Sequence, residues 1–172
     1  MFRKIKLRSL RKVTDRYLKS RDTSQRNARV KTIGFLVNEA DFQNFEALYE
    51  IWNELGIQRK DVKVFTFIEV KKKLPSMRQN QLNNKDVNWR GDIKNQNATE
   101  FLKTPFDVLV GYYKGANEYL DMMVAQSQAG FKVGVAGSDE RLFDLLIDVA
   151  VSEPKKIRTE IAKYLRILKK IE

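Results

Sequence analysis

The chain has 172 residues, 42 % of them hydrophobic, and a formal net charge of +11. It contains no cysteine and no histidine, which excludes disulfides, thiolate metal sites and cysteine nucleophiles, and removes the side chain most used as general base and metal ligand. No stretch reaches the roughly 18 apolar residues of a membrane span, and the basic N-terminus lacks the apolar segment of a secretory signal.

The charge is concentrated at one end. Residues 1–31 hold twelve Lys or Arg against Asp15 and Asp22, so nearly all the excess lies there. Phe2 to about Lys19 predicts a helix, with Phe2, Leu7, Leu10, Val13, Tyr17 and Leu18 sharing one broad face. Arg3, Lys4, Arg8, Arg11, Lys12, Arg16 and Lys19 fill most of the remainder, with Lys6 adding to the charge. A helix that packs its stripe on a domain and solvates its charges is one account. A polyanionic partner is the other, and the concentration of charge favours it. An organelle transit peptide shares this Arg-rich, acid-poor character. Ser20–Arg29 is polar and aperiodic and predicts a flexible linker, so residues 1–29 read as a helical arm with its linker.

From about Val30 a single α/β domain is expected to run to residue 172. Thr32–Val37 predicts a buried strand, Phe42–Leu55 a helix with Asp41 as N-cap and Gly56 past its end, and Asp61–Val70 a second strand. Strand, helix, strand in this order is a βαβ unit. Residues 71–97 break the pattern: three lysines, Pro75, then Asn and Gln. They predict a polar surface excursion with Trp89 tucked back onto the core. A short helix over 98–103, a third strand over 106–113, a helix over 118–129 and a fourth strand over 131–136 follow. Phe143–Val151 echoes the third strand and predicts a fifth. The gap before it is too short for a crossover helix, so it is expected antiparallel to the fourth. Pro154 opens a last helix to about Ile171. The fold class is therefore three-layer α/β, Rossmann-like, with a mainly parallel sheet of about five strands and a basic helical arm.

No motif names a reaction. The loop after the first strand, Asn38–Asp41, has two carboxylates and no glycine, which excludes a dinucleotide phosphate turn there. Lys114, Gly115 and Asn117 stand between the third strand and a helix N-terminus, the best small-ligand position in the chain. Ordinary turn chemistry explains the same residues. Asp107 and Asp144 begin strands, where capping suits them better than acid–base work. No cofactor, metal site or catalytic residue is predicted.

Asn88-Trp89-Arg90-Gly91, Phe106–Val110, Phe131–Gly134, Phe143–Ile147 and Lys163–Leu168 together resemble an uncharacterised family of short basic α/β proteins from Bacteroidota. The resemblance implies a bacterial, cytoplasmic protein and brings no activity with it. The function expected is non-catalytic RNA binding or ribosome association, with Arg3, Lys4, Lys6, Arg8, Arg11, Lys12, Arg16 and Lys19 contacting phosphates. The alternatives are a small nucleotide-binding domain or enzyme using the Lys114 loop, and a peripheral protein of anionic membranes.

Overall fold

The computed structural model describes all 172 residues. In chain order the elements are α1 (Phe2–Lys19), β1 (Ile33–Asn38), α2 (Glu46–Tyr49), α3 (Ile51–Leu55), β2 (Val62–Ile68), β3 (Gln81–Asn83), α4 (Gln96–Lys103), β4 (Val108–Tyr112), α5 (Glu118–Gln126), β5 (Phe131–Gly134), β6 (Leu145–Leu146) and α6 (Pro154–Ile167). The six strands form one sheet in the order β3-β2-β1-β4-β5-β6, and every pairing is parallel. The order reverses at β1, which lies between β2 and β4. This is a doubly wound, Rossmann-like topology.

Alternation along the strands sorts the core into two halves. Phe35, Val37, Val64, Val110 and Val133 point to one face, where Leu48, Ile51, Ile157, Ile161 and Leu165 of α2, α3 and α6 cover them. Leu36, Phe65, Phe67 and Leu109 point to the other, under Phe101 of α4 and Leu120, Met123 and Val124 of α5. Leu7, Leu10 and Val13 of α1 belong to this second half. The basic helix is thus the third helix of one layer. Each buried aliphatic side chain contributes about 1.5–3 kcal/mol, which outweighs the tenths of a kcal/mol that each like-charged i,i+4 pair costs.

Segment 20–29 is anchored, not free. Arg21 Nη1 and Nη2 donate to the two carboxylate oxygens of Asp144 at 2.9 and 2.6 Å. Lys170 Nζ donates to the carbonyl of Arg26, and Val30 N donates to that of Lys170. Polar composition alone predicts a linker; partners more than a hundred residues away hold it down.

Four further expectations need correction. The sheet has six strands because the polar excursion contributes β3, whose Leu82 is buried and whose Gln81 and Asn83 side chains are satisfied by Glu39 and the Leu74 carbonyl. The strand over 143–151 shrinks to Leu145–Leu146 and is parallel to β5, since a 3-10 turn over Glu140–Leu142 carries the chain back. Trp89 is 57 % exposed. Gly91 takes the place next to the core instead: it is buried, has φ +83°, and a Cβ there would meet Val13 Cγ1 at 2.9 Å and Met122 Sδ at 3.0 Å. The helix over 42–55 is also broken into α2 and α3, and Asp41 accepts from Lys114 N at 2.8 Å in place of capping it.

Candidate nucleic-acid interface

Docking of α1 divides its eight candidate residues into two sets. Arg3 pairs with Glu69 at 2.8 Å and Arg11 with Glu118 at 2.6 Å. Lys6, half-buried, donates from Nζ to the Asn84 carbonyl at 2.9 Å and lies 5.1 Å from the Tyr119 ring centroid. Burial lowers the Lys6 pKa, and the nearby charge of Lys85 lowers it further.

Lys4, Arg8, Lys12, Arg16 and Lys19 are exposed on the outward face and engage no carboxylate. Lys4, Arg8, Lys12 and Arg16 succeed one another at i,i+4, and from Lys4 to Lys19 the row extends about 22 Å at 1.5 Å per residue. Asp15, the acid on that face, is occupied by Arg141 at 3.2 Å. Electrostatics favour the C-terminal end of this helix, where Arg16 and Lys19 stand in the last turn, and oppose its N-terminal end. Its first turn has no acidic residue, Met1 supplies no side-chain cap, and the cations near its N-terminus oppose the helix dipole.

An aromatic surface lies beside the row. Ser9 Oγ donates to the main-chain carbonyl of Trp89 at 2.6 Å, and the Arg90 guanidinium sits 5.1 Å from the indole centroid. The turn is shaped by Asn88, whose Oδ1 accepts from Arg90 N and Asp92 N, both at 2.9 Å. Trp89 is a functional candidate that the hydrophobic pattern sends to the core; the Gly two residues on was the available signal. Phe2 and Ile5, the other large apolar residues of α1 left outside, are exposed as well. Of the basic residues in the polar excursion, Lys71, Lys72 and Lys73 are exposed, whereas Arg78 is held by Glu39 and by Thr66 Oγ1 at 3.2 Å and lies over the Phe45 ring, on the other side of the sheet from α1.

The loop after β4 approaches α1 through Ala116, which lines one cavity with Arg11, Thr14 and Asp15. Lys114 is exposed, Gly115 adopts φ +61°, and Asn117 Oδ1 accepts from Tyr119 N and Leu120 N, both at 3.1 Å, capping α5. Next to it a cavity of about 280 Å³ is lined by Ala116, Asp121 and Asp139 with the paired Arg11–Glu118 and Arg141. Burial pushes the Asp121 carboxyl up to about 6, although the Tyr113 hydroxyl donates to it at 2.7 Å. Lys114, Gly115 and Asn117 do not line this cavity.

At the amino ends of the strands, Asp107 accepts from Lys31 N at 2.7 Å and Thr32 N at 3.0 Å, and Asp144 accepts from Lys132 N at 2.8 Å. Lys132 itself is buried, with Nζ donating to the Val124 carbonyl at 2.6 Å near the C-terminal end of α5.

No helix is long and apolar enough to cross a membrane. The chain matches no curated protein and no solved structure. A family model does match, over residues 6–168, and so takes in α1 from Lys6 onward, the Trp89 turn, all six strands and α6. The chain therefore belongs to DUF6913, a family of unknown function.

Proposed function

We propose that the protein binds RNA without catalysis, in a bacterial cytoplasm and in association with ribosomes or other RNA. Phosphates lie along the outward face of α1. The observation that carries this reading is the row Lys4, Arg8, Lys12, Arg16 and Lys19, exposed and without carboxylate partners, on a helix whose inner face is fixed to the domain. Four of these cations repel one another at i,i+4, and that repulsion is relieved when a polyanion displaces counterions along them. Arg3, Lys6 and Arg11 act in this account mainly as the ties that hold the row in place. The exposed indole of Trp89 beside the row supports single-stranded RNA, whose unstacked bases can lie against an aromatic face. The test is charge reversal of Arg8, Lys12 and Arg16 together, with folding followed by circular dichroism. Loss of single-stranded RNA binding at unchanged fold supports the reading; unchanged affinity removes it.

A second reading is favoured by Phe2 and Ile5, exposed together with the same cations. They suit a helix lying on an anionic membrane surface. Flotation with anionic vesicles, at salt concentrations where RNA binds, separates the two.

A further inference from the structure

An open cavity of about 680 Å³ lies at the carboxyl ends of β2 and β3. Its floor is made by Glu69, Val70 and Lys71, which follow β2, and by Asn84 and Lys85, which follow β3. The N-terminal ends of two helices close its sides, α1 with Phe2, Arg3 and Lys6, and α5 with Tyr119. In open α/β sheets the carboxyl ends of the strands are where ligands bind, and a volume of several hundred cubic ångströms suits a small molecule.

The charge in this cavity is unbalanced. Four cations, Arg3, Lys6, Lys71 and Lys85, face a single carboxylate, Glu69, which Arg3 already neutralises at 2.8 Å. Lys6 Nζ has only a neutral acceptor, the Asn84 carbonyl, and the like charge of Lys85 acts on it more strongly than the opposite charge of Glu69. Lys71 and Lys85 have no carboxylate partner. Apolar surface comes from Phe2, Val70 and the Tyr119 ring. Tyr119 is held on its other side by stacking on Phe67, with centroids 5.3 Å apart and planes at 25°. Its hydroxyl is protonated at neutral pH, as an ordinary tyrosine is, and burial raises its pKa further.

We propose that this cavity is a phosphomonoester site, taking a phosphate dianion between Lys6, Lys71 and Lys85 with the apolar part of the ligand against Phe2 and Tyr119. A dianion answers the surplus of cations better than the singly charged diester of an internal RNA linkage. Two sources share this chemistry: a free mononucleotide, and the terminal phosphate of an RNA strand. The site rests on different residues from the outward row of α1, so it stands or falls separately from RNA binding there.

The experiment is titration of the full chain with inorganic phosphate, AMP and adenosine, and with one short RNA bearing either a terminal phosphate or a terminal hydroxyl. It is repeated with Lys85→Glu and Lys71→Glu, both of which change exposed side chains. We expect AMP to bind at least tenfold tighter than adenosine, and Lys85→Glu to remove most of that preference. A gain from the terminal phosphate on RNA, lost in the same variant, identifies the strand end as the source; a preference confined to AMP identifies the free nucleotide. The proposal is overturned if phosphorylated and unphosphorylated probes bind alike, or if the preference survives both substitutions. Binding of the terminal-hydroxyl RNA, unchanged in Lys85→Glu, reports the α1 row alone, so a missing phosphate preference overturns the pocket and leaves that reading standing.

Discussion

The hydroxyl of Ser9 donates to the main-chain carbonyl of Trp89 at 2.6 Å, and this bond sets an exposed indole beside the cation row of α1. The contact joins two segments 80 residues apart in sequence. It is reinforced below by Gly91, whose missing side chain lets the turn rest on Val13 and Met122. Backbone geometry, not indole burial, therefore holds the turn.

Trp89→Ala should lower the melting temperature less than truncation of a core aromatic does, since more than half of the residue is exposed. Its effect should appear in single-stranded RNA affinity, with a loss of about 1–3 kcal/mol from removal of one stacked base. Anisotropy titration of a labelled oligonucleotide measures this. A second readout is quenching of tryptophan emission on binding, which should persist when the chain's other tryptophan, Trp52 on α3, is replaced by Phe and vanish in Trp89→Phe. Gly91→Ala should do the reverse and lower stability, because its Cβ would overlap Val13.

Arg21 and Asp144 couple the segment after α1 to the start of β6. Burial raises the Asp144 carboxyl, but the Arg21 hydrogen bond, Lys132 N and the charges of Arg21 and Arg26 outweigh it and hold the pKa below the ordinary value. A depressed carboxyl contributes stability that is present above its unfolded pKa and is lost as pH falls through the folded value. Acid unfolding should therefore draw on this pair below about pH 4. At neutral pH Arg21→Met leaves a buried carboxylate with Arg26 as its remaining ionic partner, and should cost about 3 kcal/mol in denaturant unfolding.

Lys132 titrates in the opposite direction. Burial, followed by the charge of Arg21, lowers its pKa to about 7 despite Asp144. Between about pH 7 and 10 the unfolded chain keeps the lysine proton that the folded chain releases, so stability should rise with pH across that window. The difference between wild type and Lys132→Met, measured by denaturant unfolding at several pH values, isolates the contribution. A difference that does not vary from pH 7 to 10 would show that Lys132 is charged in the folded state throughout.

The parts of the fold that were legible in the sequence are those where one strand or helix carries its own pattern. Ile33–Val37 is apolar on both faces because it lies at the centre of a parallel sheet, and Pro154 marks the start of α6. What was not legible depends on distant partners. β3 is a strand because Thr66, Phe67 and Ile68 offer it a ladder, not because Gln81-Leu82-Asn83 has a strand pattern. The amphipathic stripe of α1 was plain, but its seat against α5 and the sheet was not. Nor does sequence separate the cations that are tied from those that are free, since Glu69 lies 66 residues beyond Arg3 and Glu118 lies 107 beyond Arg11. Trp89 was misplaced because hydrophobicity assigns an indole to the core, while the vacancy there was filled by a neighbouring backbone.

The most direct test of the central claim is the dissociation constant of single-stranded RNA measured across a range of salt concentrations. If the five free cations of α1 each neutralise a phosphate, the logarithm of the association constant should fall with the logarithm of salt at a slope of about −3.5, at about 0.7 per contact. Reversing Arg8, Lys12 and Arg16 should bring that slope down by about 2 or more. A shallow slope in the wild type, or the same slope in the reversed variant, would contradict the assignment of phosphate binding to α1.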